Sequence, residues 1–168
     1  QLTENQINAA GHLTIGGCDA VELAHKYGTP LVVYDVSKIR DQIRRFEKVF
    51  AANHVDYAVS YASKAFAAIA MYQVAAAEGA HTDVVSGGEL YTAIKAGFPM
   101  DRVSFHGNNK SREELEMAIR HHVGVVILDN FHEIDLLADL LEENDAQIKV
   151  MLRITPGISA HTNKYIQT

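Results

Sequence analysis

The amino-acid sequence predicts an α/β fold built around a parallel sheet. Short runs rich in β-branched residues recur roughly every 20 to 25 positions, and the segments between them have the periodicity of amphipathic helices. The run at 123–128 is apolar except for one glycine, as expected for a strand covered on both faces. This alternation indicates βαβ units, and it fits either an open doubly wound sheet or part of a (β/α)8 barrel.

The predicted strands follow this rhythm, apart from one at the start. They lie at 31–34, 56–61, 82–85, 102–105, 123–128 and 148–154. Residues 12–15, followed by Gly16 and Gly17, predict a further strand and a turn that precede the β/α alternation.

Apolar stripes predict the helices between the strands. Steps of three and four residues place apolar side chains on one face of a helix. Two such stripes are formed by Ile39, Ile43, Phe46 and Phe50, and by Phe131, Ile134, Leu137 and Leu141.

Capping signals agree with these helices. The sequences Ser-Gly-Gly-Glu at 86–89 and Ser-Arg-Glu-Glu at 111–114 have the form of a capping box. Asp129 and Asn130 predict a cap for the helix after the strand at 123–128, and Gly79 and Gly97 predict helix C-termini.

Composition narrows the class of protein. The 168 residues are 48% hydrophobic and 21% charged, which is typical of a globular domain, and the net charge of −6 argues against a nucleic-acid partner. No apolar run is long enough for a membrane span, and the first residues lack the pattern of a signal peptide. The single cysteine, Cys18, cannot form an internal disulfide, so a cytoplasmic location is expected. The nine histidines lack paired-ligand spacing, so no metal site is predicted.

Lys64 is the first candidate for chemistry. It comes three residues after the predicted strand at 56–61, and active sites of parallel α/β proteins form at the carboxyl ends of strands. Its neighbours Ala62, Ala65 and Phe66 are small or apolar, and such surroundings can desolvate an amine as a Schiff-base lysine requires. The alternative is a surface lysine that opens a helix.

Asp83 and the turn after it form a second candidate. A carboxylate within the strand at 82–85 could orient a histidine or pair with a cation, or it could face water at a strand edge. Gly87 and Gly88 allow close backbone approach at a helix N-terminus, which favours anions. The alternative for this turn is a simple cap, held by Glu89.

Arg153 and His106 complete the candidates. Arg153 lies in an otherwise apolar strand, so it needs a carboxylate, phosphate or phenolate partner, either in a site or in a structural ion pair. His106 follows a predicted strand end and could line the same site.

Together, these segments resemble the diaminopimelate decarboxylase family in their order and spacing. The similar segments lie at 28–35, 61–65, 83–90, 96–99, 106–110, 152–157 and 161–168, so the resemblance covers nearly the whole chain from about residue 10. The wider group is that of the fold-type III pyridoxal 5′-phosphate (PLP) enzymes, which includes ornithine and arginine decarboxylases and is related to alanine racemase.

The resemblance implies a domain organisation. In this family a PLP-binding (β/α)8 barrel accompanies a separate β-sandwich domain. Residues 1–36 would then be an N-terminal segment that contributes to the sandwich, and residues 37–168 would be the first part of the barrel, with about five of its eight strands. The rest of the barrel and the C-terminal domain would lie outside this sequence.

The resemblance also implies roles for the candidates. Lys64 matches the catalytic lysine that holds PLP, Asp83 matches the strand aspartate near the cofactor, and Arg153 matches an arginine near the cofactor. We add His106 as a cofactor-binding candidate. The implied reaction is the decarboxylation of meso-2,6-diaminopimelate to L-lysine by a homodimer with a shared active site, which binds a small amino-acid substrate and neither nucleic acid nor membrane.

The sequence departs from the family pattern in two respects. Phe66 replaces the asparagine that usually ends the lysine motif. The family's ring-stacking histidine, its phosphate loops, its glutamate that faces the pyridine nitrogen and its C-terminal cysteine and tyrosine have no match here. Because five strands cannot close an eight-stranded barrel, we expect the 168 residues alone to be inactive. Two alternatives stay open, namely another decarboxylase (ornithine, arginine or carboxynorspermidine) or racemase of the same fold, and a non-catalytic homologue.

Overall fold

The computed structural model describes residues 7–157. The chain forms two compact units, Gln1–Val59 and Ser60–Thr168. The division between the proposed sandwich segment and the barrel at residues 36 and 37 stays a prediction.

Near its start, the first unit contains the strand and turn expected from the sequence, and a second strand completes a hairpin. Strands β1 (Thr14–Ile15) and β2 (Cys18–Asp19) pair antiparallel. Gly16 and Gly17 join them with φ values of 55° and 81°, a region that glycine occupies readily.

Two helices follow, each with an aspartate cap. Helix α1 (Ala20–Tyr27) begins after Asp19, and helix α2 (Val36–Ala52) begins after Asp35. Each aspartate accepts two backbone N–H groups of the first turn, which would otherwise lack partners.

The strand predicted at 31–34 is wrong. These residues have no ladder partner in the described part of the chain, and the side chain of Val32 is 76% exposed. A β-branched run becomes a strand only where another strand offers hydrogen bonds. The local sequence pattern does not reveal whether such a partner is present.

The second unit is a five-stranded parallel sheet in the order β3-β4-β5-β6-β7. Its strands are β3 (Ser60–Ala62), β4 (His81–Val84), β5 (Val103–Phe105), β6 (Val125–Leu128) and β7 (Val150–Leu152). Helices α3 (Ile69–Ala77), α4 (Gly87–Lys95), α5 (Arg112–Arg120) and α6 (Phe131–Glu143) connect them.

The strand order decides between the two folds that the sequence left open. Each strand pairs with the one that precedes it in the chain, and the order never reverses. Because crossovers between parallel strands are right-handed, consecutive order places every connecting helix on the same face, as in a (β/α)8 barrel. The unit is therefore five strands of a partial barrel.

Five of the six predicted strands are found near their predicted positions, and four of these five are shorter than predicted, while β4 keeps its predicted length. The predicted strand at 123–128 begins only at Val125, because the Gly124 N–H donates to the carbonyl of Met100, 2.8 Å away, outside the ladder. The strand predicted at 56–61 is shifted to Ser60–Ala62. The most completely buried side chains of this unit include Tyr72, Phe105, Leu90, Leu115, Leu140, Val84 and Val126.

The predicted caps are confirmed, with one exception. Ser111 and Glu114 form a full capping box, and Asn130 caps α6. Ser86 caps α4 by accepting the N–H of Glu89, but the Glu89 carboxylate does not return to Ser86. It binds elsewhere, so the expectation that Glu89 holds this cap is wrong. Within residues 7–157, no helix is long and apolar enough to cross a membrane.

Candidate active site

The predicted site residues lie along the carboxyl edge of the parallel sheet. Lys64 lies in a 3-10 turn directly after β3, Asp83 lies in β4, His106 follows β5 and Arg153 follows β7. The register pairs Ala62 with Asp83, so the turn of Lys64 stands next to the end of β4. Parallel strands end at one edge, which brings these groups to one side of the sheet.

Lys64 has an exposed and unpaired side chain. The turn Ser63–Ala65 follows β3 and is closed by the Phe66 N–H, which donates to the Ser63 carbonyl at 3.0 Å. The ammonium of Lys64 has no hydrogen bond or ion pair within the described residues of its unit. The apolar enclosure expected from the sequence is not formed by residues 60–157, where Lys64 and Ala65 are exposed. An amine in this state is available to a carbonyl ligand.

Asp83 and His106 are brought together. The His106 Nε2 lies 3.7 Å from the Asp83 Oδ1, and both side chains are about one-third exposed. The Ser60 hydroxyl donates to the same Asp83 oxygen at 2.6 Å, and the backbone N–H of His106 donates to the Val84 carbonyl at 2.8 Å. The carboxylate is therefore fixed by a neighbouring strand while its face toward the edge stays accessible.

Arg153 stands apart from that pair, at the other side of the sheet edge. Its guanidinium lies 3.3 Å from the Asp129 carboxylate, and its side chain is 49% exposed. The partner is thus a carboxylate, as one of the two sequence interpretations proposed. Since half of the side chain is free to solvent, the contact does not exhaust the donors of the guanidinium.

The sequence analysis did not predict the contacts of four further polar residues. Ser63 is fully buried and bonds to the Glu89 carboxylate, while Lys110 and Glu133 form a buried ion pair beneath the edge. Lys110 follows Asn109 and precedes Ser111, so its sequence context gives no sign of burial, but Glu89 and Glu133 share a signal. Each occupies the third position of a helix after a strand, and each accepts the backbone N–H of the residue four places before it, Val85 and Asp129 respectively.

The size of the surface cavities does not point to the carboxyl edge of the sheet as the functional site. A cavity of about 710 Å³ is lined by residues at the C-terminal ends of α5 and α6, among them Ile119 and Glu143. These helix ends lead into the amino ends of the strands, away from Lys64. A smaller cavity does include Arg153 and Asp129, together with Ile134.

Comparison with known proteins shows the family of this chain. Residues 36–168 match the family described as pyridoxal-dependent decarboxylase, pyridoxal binding domain. The diaminopimelate decarboxylase of Bacillus subtilis is 58% identical over 96% of this chain, and that of Bacillus methanolicus is 55% identical over 97%. The chain spans only 37% and 38% of the lengths of these two relatives.

A solved structure agrees in fold. Diaminopimelate decarboxylase from M. jannaschii in complex with L-lysine matches with a TM-score of 0.82 and 34% identity, over 92% of this chain and 36% of that one. The family match covers well over half of the chain, and it includes the turn of Lys64 and the whole sheet. The chain belongs to the pyridoxal-dependent decarboxylases and carries sequence of their pyridoxal-binding domain.

Proposed function

We propose that the full-length protein containing this chain decarboxylates meso-2,6-diaminopimelate to L-lysine, with PLP as cofactor, in lysine biosynthesis. The observation that carries the proposal is the identity of 55–58% to curated diaminopimelate decarboxylases over nearly the whole chain. The bound L-lysine of the M. jannaschii structure is the product expected for such an enzyme.

The residues at the sheet edge fit PLP. This cofactor supplies an aldehyde that condenses with an amine, with loss of water, and a conjugated ring that delocalises the electron pair left when CO2 departs. Lys64 offers a primary amine at the carboxyl end of β3, and this amine has no hydrogen bond or ion pair with residues 60–157. Within the described residues of its unit, no carboxylate forms an ion pair with it, so none holds it away from a ligand.

We assign the remaining candidates by their chemistry. Asp83 holds a negative charge beside β3 and orients the imidazole of His106, 3.7 Å away. His106 presents a ring that can donate a hydrogen bond to a polar substituent of the cofactor. Arg153 supplies a half-exposed guanidinium for a carboxylate, phosphate or phenolate oxygen, although Asp129 occupies part of it in this structure.

Mapping the attached lysine tests the assignment. The full-length protein is incubated with PLP, reduced with borohydride, digested and analysed by mass spectrometry. We expect the pyridoxyl label on Lys64, and none after Lys64→Ala. If the label in the protein without substitutions is found on a lysine other than Lys64, the role assigned to Lys64 is wrong.

Substrate specificity needs a separate experiment. Release of CO2 is measured with meso-diaminopimelate, lysine, ornithine and arginine. We expect turnover of meso-diaminopimelate only. Preference for ornithine or arginine, or racemisation without CO2 release, would assign the protein to another activity of the same fold.

We also propose that the full-length enzyme is a cytoplasmic homodimer whose two subunits share each active site. The exposed thiol of Cys18 is compatible with a reducing compartment. The test mixes two inactive variants, Lys64→Ala and a variant of an active-site residue from the remainder of the protein. Recovery of activity on mixing is expected only if each site combines residues from both subunits.

A further inference from the structure

The turn that carries Lys64 is held by the residue before it. Ser63 is 0% exposed, and its hydroxyl lies 2.7 Å from the Asp83 carbonyl and 3.0 Å from the Glu89 Oε2. A hydroxyl has one hydrogen, which is shared between these two acceptors. Both acceptors belong to the β4–α4 segment, so one side chain ties the lysine turn to the neighbouring βα unit.

Glu89 is fixed at the other end of this link. Its Oε2 accepts the Val85 N–H at 2.6 Å as well as the contact from Ser63. The fully buried Tyr72 donates its hydroxyl to the Glu89 carbonyl at 3.2 Å and packs edge-on against Phe98. Burial raises the pKa of Tyr72 and the Glu89 charge adds to this, against a hydrogen bond with Ser63 that lowers it, so the phenol stays a neutral donor.

The lysine turn is closed by the Phe66 N–H, which donates to the Ser63 carbonyl at 3.0 Å, and the Tyr61 hydroxyl donates to the Phe66 carbonyl at 3.1 Å. The turn has no side-chain cap at Ala62, and the Lys64 side chain itself has no polar partner within the described residues of its unit. The direction in which the Lys64 side chain leaves the sheet therefore depends on the backbone of the turn. The Ser63 hydroxyl ties that backbone to β4 and α4.

We propose that Ser63 and Glu89 are positioning residues that aim Lys64 at the cofactor. The inference rests on the proposed function, because it assumes that Lys64 attaches PLP. Asp83 takes part in both contacts. Its main-chain carbonyl accepts the Ser63 hydroxyl, and its carboxylate lies near His106. Lys64 and the Asp83 carboxylate are thereby held in a fixed relation to each other.

The test compares two buried hydroxyls of the full-length protein. Ser63→Ala removes the proposed link. Thr82→Val is the matched control, because Thr82 is also 0% exposed and its hydroxyl also donates to a carbonyl, that of Tyr61, at 2.9 Å. The rate of covalent PLP attachment to the apo-protein is followed by stopped-flow absorbance, and the unfolding midpoint of each apo-variant is measured.

We expect attachment to slow at least about ten-fold in Ser63→Ala, because a displacement of about 1 Å in a reacting group can reduce rates by up to about a hundred-fold. Thr82→Val should stay within about two-fold of the original rate. Equal rates in the two variants would overturn the positioning role. If Ser63→Ala fails to fold, Glu89→Gln carries the same comparison.

A second measurement separates positioning from a general loosening of the structure. In a Lys64→Ala background PLP binds without a covalent link, so a residue that acts through Lys64 has nothing left to position. Adding Ser63→Ala should then leave the dissociation constant of PLP unchanged within about two-fold. A further weakening in this background contradicts the proposal. Covalent label retained in Lys64→Ala would instead refute the assignment of Lys64 as the lysine that attaches PLP, on which this inference rests.

Discussion

The Nζ of Lys110 and the Oε1 of Glu133 lie 2.5 Å apart in the interior of the sheet unit, with side chains only 1% and 3% exposed. The ammonium also donates to the carbonyls of Gly107 and Ile127, at 2.8 and 2.7 Å, and lies 5.7 Å from the centre of the Phe105 ring. All three hydrogens of the lysine are therefore satisfied. The ion pair connects the loop after β5 with β6 and α6.

Replacing Lys110 with methionine should destabilise the protein by about 3–5 kcal/mol, because Glu133 would be left as an unpaired buried charge. The free energy of unfolding in urea, measured on the full-length apo-protein, checks this. The double variant Lys110→Met/Glu133→Leu removes both charges and should recover most of the loss.

An exposed ion pair is the control for that experiment. Arg112 contacts Glu116 and Glu143, but its side chain is 43% exposed. Arg112→Met should reduce the free energy of unfolding by less than about 1 kcal/mol. A Lys110→Met effect as small as this one would show that burial of the pair has no energetic consequence.

The carboxyl of Asp19 should give the first unit an acid-sensitive element. The pKa of Asp19 falls from 3.8 to about 2. Burial works to raise it, and this is outweighed by hydrogen bonds from His12, Glu22, Asn8 and Val21. Because the folded pKa lies below the unfolded value of about 3.9, the unfolded chain binds the proton first as the pH falls. This contribution is present above about pH 4 and is lost toward pH 2.

The pKa of the Asp19 carboxyl can be measured directly from its chemical shift in a carbon-detected NMR titration. Asp19→Asn should flatten the dependence of stability on pH between about pH 4 and 2, relative to the original protein. A titration midpoint of the Asp19 carboxyl near 3.9 would contradict the predicted shift.

Gly124→Ala should destabilise the sheet unit by about 1–3 kcal/mol or more, through overpacking against main chain that cannot move easily. A Cβ at Gly124 would lie 2.1 Å from the Asp101 carbonyl oxygen. Gly88→Ala is the control, because there the nearest atom is the Ser86 hydroxyl at 3.9 Å. Thermal unfolding of both variants should separate them clearly, and similar midpoints would refute the close approach at Gly124.

Arg153→Met tests which interpretation of this arginine is correct. Its contact with Asp129 is largely exposed, so the free energy of unfolding should change by less than about 1 kcal/mol. If Arg153 holds a cofactor oxygen, the dissociation constant of PLP should rise at least about ten-fold, since hydrogen bonds to charged groups contribute about 1.5–3 kcal/mol. An unchanged dissociation constant would leave Arg153 with a structural role only.

Much of this architecture could be predicted from local pattern. The period of apolar residues located α2 and α6, and the capping residues Ser111 and Asn130 are where the sequence places them. The choice between a doubly wound sheet and a barrel could not be made in this way, because it depends on strand order and not on any property of a single strand.

The site was only partly predictable, for a similar reason. Lys64, Asp83 and His106 could be located because they follow or occupy strands, and parallel strands end at one edge. The link from Ser63 to Glu89 spans 26 positions, and that from Lys110 to Glu133 spans 23. Contacts of this separation depend on how neighbouring βα units pack, which neither residue reveals in its own sequence context.

The consecutive strand order also affects how the sheet can assemble. Strands β3 to β7 begin at Ser60, His81, Val103, Val125 and Val150, so each has to meet only the strand made about 20 to 25 residues earlier. Loop-closure entropy rises with loop length, and topologies with short sequence separations fold faster. The sheet can therefore grow one strand at a time as the polypeptide leaves the ribosome, with each new βα unit completed on a template that has already formed.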